Sequence, residues 1–149
     1  MSQIQYAIKS VKETEFFTDE SLELEAQVDL NYNASIQTKL ETEEVLVTII
    51  VSYSSKTTRH DFLRSKVVSS FIIKDMKNYV PAGSSSAGID LPDPLWVAMF
   101  GISFSHARAL LAKSAAATKY AHMTLPLIDP EKEFKKLFAK ELEKNAIKK

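Results

Sequence analysis

The chain has 149 residues, no cysteine, and 19 acidic side chains against 19 basic ones, with apolar residues at 45% and charged ones at 26%. That make-up fits one compact domain over residues 1–149, leaves no room for a second, and excludes a disulfide framework, a thiolate metal site and a cysteine nucleophile. Balanced charge gives no reason to expect DNA or RNA as a partner, and the absence of cysteine suits a reducing, cytoplasmic setting.

The N-terminal stretch MSQIQYAIKSVKETEFF lacks the uninterrupted apolar segment of a secretion signal. Within it, Gln3 to Val11 alternates Ile4, Tyr6 and Ile8 with polar neighbours, which predicts a half-buried strand. Leu22 to Leu30 repeats the pattern with Leu22, Leu24, Ala26, Val28 and Leu30. This first third is acidic: between Glu13 and Glu44 the carboxylates are opposed by Lys39 alone. Glu44 to Ser54 is β-branched and nearly continuous in apolar character, as a central strand covered on both faces would be. Asp61 to Ile73 follows, with Phe62, Val67, Phe71 and Ile73 as its apolar positions. Four strands with short polar connections predict an antiparallel meander.

Tyr79 to Pro94 concentrates prolines, glycines and three serines, and reads as a surface loop. Leu95 to Tyr120 reads as a helix: Phe104, Ala107, Leu111, Ala115 and Thr118 keep helical spacing, Ser103 or Ser105 can cap a turn, and Gly101 is a place for a kink. Its alanines allow close approach of another element or subunit. No apolar run reaches the roughly 20 residues that span a bilayer, so no direct membrane insertion is expected. Pro126 and Pro130 end that element. Asp129 is placed as an N-cap with Pro130 in the first turn, and Phe134, Leu137, Phe138 and Leu142 line one side of a final helix. Lysines crowd its end, with glutamates offsetting about half of them, which describes a solvated face.

The chemical inventory points away from catalysis. His60, His106 and His122 stand far apart without metal-ligand spacing. Gly83 to Gly88, with Ser84, Ser85 and Ser86, superficially suggests a phosphate loop but lacks its lysine and its strand-to-helix setting. Glu43 and Glu44 alternate sides of a strand and cannot face one substrate; one solvent contact and one edge charge are expected. The reading is a protein without catalytic residues, metal or cofactor, built for packing and adhesion.

The order of elements resembles the SecB-type protein-export chaperones over nearly the whole length. The residues that carry it are Val28-Asp29-Leu30 leading to Glu44-Val45-Leu46-Val47, Phe62-Leu63 followed by Phe71, and Ala107-Arg108 followed by Leu125-Pro126 and Phe134-Lys135-Lys136-Leu137-Phe138. The resemblance implies an α+β fold: a four-stranded antiparallel sheet with a long helix and a short C-terminal helix on one side. It also implies an ATP-independent holdase that holds unfolded client polypeptides in apolar grooves. Carried over by position, Val28, Leu30, Phe62, Phe71, Phe134 and Leu137 become client-binding candidates, although a strand lining a groove and one lining a core alternate alike. Leu110, Leu111 and Ala115 are expected near a subunit contact of a homodimer or homotetramer.

Two departures bear on the partner. Where the family's translocase-docking strand carries an acid after Phe62-Leu63, this chain has Ser65 and Lys66, and the connection from Phe16 to Leu22 is short and lacks the family's tryptophan. Service to the preprotein translocase motor in export and service to a dedicated partner, such as the antitoxin of a toxin-antitoxin pair, both stay open at this point.

Overall fold

A computed structural model describes residues 3–21, 28–81 and 89–138. Four strands, β1 (Tyr6–Thr18), β2 (Val28–Lys39), β3 (Glu44–Ser55) and β4 (Asp61–Ile73), form one antiparallel sheet. A 3-10 turn, Met76–Tyr79, leads towards α1 (Asp93–Ala115), and α2 (Pro130–Leu137) follows. The architecture is α+β, as expected, with both helices on one face.

Strand order is β1-β4-β3-β2, not the expected meander. Strands β2, β3 and β4 are joined by tight connections, while β1 lies beside β4 at the far edge, the arrangement of a Greek key. The sequence pattern hides this because β1 carries two register shifts, between Ile8 and Ser10 and between Glu13 and Glu15. Each bulge resets the alternation, so apolar periodicity is lost after Val11 although the strand continues to Thr18. β2 likewise begins at Val28 and runs to Lys39; the Leu22 to Gln27 part of the expected strand lies outside the described residues.

The core lies between the sheet and α1. Register sets Val45 opposite Phe71, Ile49 opposite Val67 and Tyr53 opposite Leu63, so these side chains share one face, and all are buried. β2 adds Leu30, Tyr32, Ala34 and Ile36, opposite Tyr53, Val51, Ile49 and Val47. From α1, Phe100, Phe104, Ala107, Leu111 and Ala115 close the core at exposures of 1% or less. Leu111 and Ala115, expected at a subunit contact, therefore face their own sheet; of the three named, Leu110 alone keeps surface. Burying Phe100, Phe104 and Leu111 supplies roughly 1.5–3 kcal/mol each, so this face fixes which side of α1 turns inward.

α1 starts at Asp93 and ends at Ala115, five residues short of the expected end, where Thr118 donates its hydroxyl to the Ala115 carbonyl at 2.8 Å and opens a turn. Ser103 caps nothing: it lies inside the helix and donates to the Met99 carbonyl at 2.7 Å. Helical structure passes through Gly101 without a break. Among the described residues α1 is long and apolar enough, by length and composition, to cross a bilayer, with a mean hydropathy of 1.3 over its most apolar stretch. Ser103, Ser105, His106 and Arg108 interrupt the apolar run within it, and the core helix of a globular domain meets the same criterion. In this fold one face of that helix is the core wall.

Polar residues also fasten the sheet. Glu44 is 8% exposed and takes hydrogen bonds from Lys9 and from Ser70, which ties β1, β3 and β4 together. Neither a strand-edge charge nor a solvent contact describes it. Glu43, at φ 56°, turns back and accepts the Met76 N–H at 2.9 Å.

Candidate functional site

β2 is an outer strand of the sheet, and one of its sides is unpaired among the described residues. In an antiparallel pair, alternate residues aim their N–H and C=O groups at the partner and the rest aim outward. The Ala34 N–H donates to its neighbour Asn33 Oδ1 at 2.9 Å rather than to β3, so the even-numbered residues point off the edge. Those same residues, Val28, Leu30, Tyr32, Ala34 and Ile36, are half-buried, while the odd-numbered ones, Asp29 to Gln37, are exposed and polar. β2 pairs with β3 across its length without a register shift and contains no proline. The opposite edge, β1, is bulged twice and carries Lys9 and Lys12, features that blunt an edge against further pairing.

A strap lies over the inner side of β2. The Tyr53 hydroxyl donates to the Thr124 carbonyl at 2.8 Å, and the Tyr32 hydroxyl donates to the Glu133 carboxylate. Since Tyr53 pairs with Leu30, and Tyr32 is two residues further on, the segment between Thr124 and Glu133 is pinned at both ends above this strand. Pro126 and Pro130 keep the segment from continuing as helix. Within it Leu125 is buried and Leu127 is 83% exposed, the most exposed large apolar side chain described. Burial, with the Glu133 hydrogen bond and charge, pushes the Tyr32 hydroxyl up to about 12.

α2 is set by its cap. Asp129 accepts the N–H groups of Glu131 at 3.1 Å and Lys132 at 3.4 Å, and Pro130 occupies the first turn, as the sequence indicated. Phe134 turns inward at 7% exposure, with ring centroids 6.0 Å from Phe100 and 4.8 Å from Phe138. Gly101 explains the close seat: a Cβ there would stand 3.2 Å from two carbons of the Pro130 ring. Along the outer flank of this contact runs a groove of about 830 Å³, with Val97, Ala98, Gly101 and Ile102 on its floor and Pro130 and Phe134 on its wall. Asp93, Glu131, Lys135 and His106 supply its charged and titratable groups. α2 thus has the groove on one side and the β2 edge, through Glu133, on the other.

The residues singled out from sequence separate into two sets. Val28 and Leu30 lie half-buried on β2, and Leu137 is half-buried on α2. Phe134 walls the groove while packing on Phe100. Phe62 at 4% and Phe71 at 0% exposure are core: Phe62 packs its ring on Tyr120 at 4.8 Å, and Phe71 lies opposite Val45, beneath α1. As client contacts those two are corrected, because they offer this single chain almost no surface. The Gly83 to Gly88 loop and Leu142 lie outside the described residues.

Tyr32 and Leu127 were missed in the sequence. A leucine between two prolines reads as part of a stop signal, and Asn-Tyr-Asn-Ala-Ser reads as a turn. The available signal was Leu127 itself, a large apolar side chain with no helical or strand partner at the expected spacing.

The histidines differ in setting. His60 and His122 are exposed. His106 Nδ1 lies 3.0 Å from Ser69 Oγ at the interface of α1 and β4, and burial pushes its pKa down. Further along α1, Glu13 accepts hydrogen bonds from Ser65, at 3.0 Å, and Ser114. These contacts fasten β1 and β4 to α1. Among the described residues no three His, Cys, Asp or Glu side chains group as metal ligands.

No protein-family model and no curated protein matches the sequence. The solved structure of the Mycobacterium tuberculosis SecB-like chaperone, bound to a peptide from the HigA1 antitoxin, superposes with a TM-score of 0.53 at 9% identity, covering 83% of this chain and 90% of that one. A Streptococcus agalactiae protein of unknown function aligns over 86% of this chain and 99% of that one at 6% identity, with a TM-score of 0.39. At 9% identity the first likeness shows the fold: this chain has a SecB-like fold.

Proposed function

We propose that the chain is an ATP-independent holdase that binds non-native polypeptide in extended form along the β2 edge. The observation that carries this reading is that edge itself: a regular, unbulged outer strand whose outward backbone groups accompany a half-buried aliphatic row, with Leu127 held open beside it. An added strand takes its affinity from main-chain hydrogen bonds, which any sequence supplies, and its preference from alternate side chains. Val28 and Leu30 on β2 and Leu137 on α2 contact the client beside Leu127. Phe134 serves through the groove.

The chain works in the cytoplasm and assembles as a homodimer or a dimer of dimers. Tyr6 and Ile8, 40% and 49% exposed on the core-facing side of β1, together with Leu110 on α1, support such a contact. Several client sites on one particle would add avidity.

An unfolded model client diluted from denaturant, followed by light scattering with and without the protein, tests this. Protection without nucleotide that Leu127→Asp weakens is the expected result, and no protection at stoichiometric amounts refutes the reading. A second reading, a chaperone dedicated to one partner, is favoured by the fold neighbour's being bound to an antitoxin peptide. It predicts tight capture of one protein that unfolded model clients do not displace. Service to the export motor is a third duty, implied by the sequence resemblance, and would use the β4 strand that carries Ser65 and Lys66 after Phe62-Leu63 rather than the β2 edge.

A further inference from the structure

The helices cover one face of the sheet. The other face is open among the described residues, and its composition is unusual for a solvated surface. Leu46 and Val68 are half-buried there, and Ile50 and Ile72 are 37% and 39% exposed. Register makes these four a single diagonal stripe: Ile72 is diagonal to Leu46, Val68 lies opposite Thr48, and Ile50 lies opposite Lys66.

The charges around the stripe are one-sided. Each acid on this face has a basic neighbour: Glu44 is held by Lys9, Glu15 by Arg64 at 3.3 Å, and Asp29 lies 3.8 Å from Lys56. Lys12 lies opposite Val68, and Lys66 lies between Ile50 on one side and Glu15 on the other; neither lysine makes an ion pair within 4.0 Å among the described residues. The β2 part of the face, Asn31 to Gln37, is neutral. Lys12 therefore has no carboxylate opposite it, Lys66 shares Glu15 with Arg64, and both stand beside an exposed aliphatic stripe with positive charge in excess.

We infer that this open sheet face docks a second protein through an acidic segment carrying aliphatic side chains. The aliphatics favour protein over nucleic acid: Phe17, at the rim, is the face's one exposed aromatic among the described residues, too few for base stacking. The unpaired lysines disfavour a second copy of the same face, which would oppose like charges. This surface is separate from the β2 edge and the groove, so client binding and docking could be lost independently.

The probe is a fluorescein-labelled peptide of alternating glutamate and leucine, with its glutamine-leucine counterpart as control, read by anisotropy across a salt series. Binding of the glutamate peptide that weakens with salt, and falls about tenfold in Lys12→Glu/Lys66→Glu, is expected. Ile50→Ser weakens both peptides, and Lys12→Gln/Lys66→Gln gives an intermediate loss without introducing acids. All variants keep their circular dichroism and their protection of an unfolded client. Equal binding of both peptides, or no response to the lysine variants, overturns the inference. So does displacement of the peptide by single-stranded oligonucleotide, or a protein dimer that Ile50→Ser dissolves.

Discussion

Tyr32→Phe removes one oxygen from the strap and leaves the rest of the contact in place, since the ring still meets Phe104 edge-on at 5.4 Å and 76°. A hydrogen bond to a charged acceptor contributes about 1.5–3 kcal/mol when buried. Tyr32 and Glu133 are only partly buried, and solvent screening brings the expected coupling to about 1 kcal/mol. Chemical denaturation of wild type, Tyr32→Phe, Glu133→Gln and the double variant isolates it as a cycle, and a loss of that size lowers Tm by about 2–4 °C in a chain of this length. The pH dependence is a second check. The hydroxyl's folded pKa, about 12, lies above its ordinary value of 10.0. The bond's contribution is whole below pH 10 and is lost as pH rises through 12. The stability difference between wild type and Tyr32→Phe is therefore constant to about pH 10 and shrinks above it. A coupling below about 0.3 kcal/mol, or a difference that stays constant past pH 12, refutes the strap.

Leu111→Ala opens a cavity under α1 and costs about 3–5 kcal/mol by denaturant titration, while Leu110→Ala costs under about 1 kcal/mol and acts on particle mass in light scattering. Equal losses at the two positions would contradict the inward face assigned to α1. Gly101→Val drives a branched side chain into the Pro130 ring and destabilises by about 1–3 kcal/mol; an unchanged Tm would mean that α2 is not seated there. Glu44, held below the usual carboxylate range chiefly by the Lys9 hydrogen bond, gives stability that is present above the ordinary carboxylate pKa and lost as pH falls through the lowered one. Acid titrations of Glu44→Gln should accordingly show a shallower fall than wild type, and parallel curves would refute the clamp.

What was legible in the sequence was whatever has a simple period or a strong local signal. β3 and β4 were found nearly to the residue, because their core-facing positions are mostly large and apolar, from Val45 to Tyr53 and from Phe62 to Ile73, even though Glu44, Ser65, Ser69 and Ser70 are buried among them. The Asp129-Pro130 start of α2 was also plain. β1 was truncated because its bulges break the alternation, and the edge position of β1 beside β4 has no local signature at all. β2 was displaced because its solvent face, Asn31, Asn33, Ser35 and Gln37, is made of turn-forming residues. Which apolar residues face a groove was the least legible part. Phe71 and Val28 look alike in a pattern of two, and only register and the helix overhead separate a sealed side chain from a half-open one.

β1 has its pairing partner in β4, which is synthesised after β2 and β3, and Tyr120 then pins the end of β1 by donating its hydroxyl to the Asp19 carbonyl. During translation the first strand to leave the ribosome is thus the last of the sheet to find a neighbour. Contacts of such sequence separation slow folding and prolong exposure of unpaired backbone. A newborn copy of this protein spends that interval with Val11 and Phe16, half-buried in the finished sheet, open to whatever apolar surface it meets first.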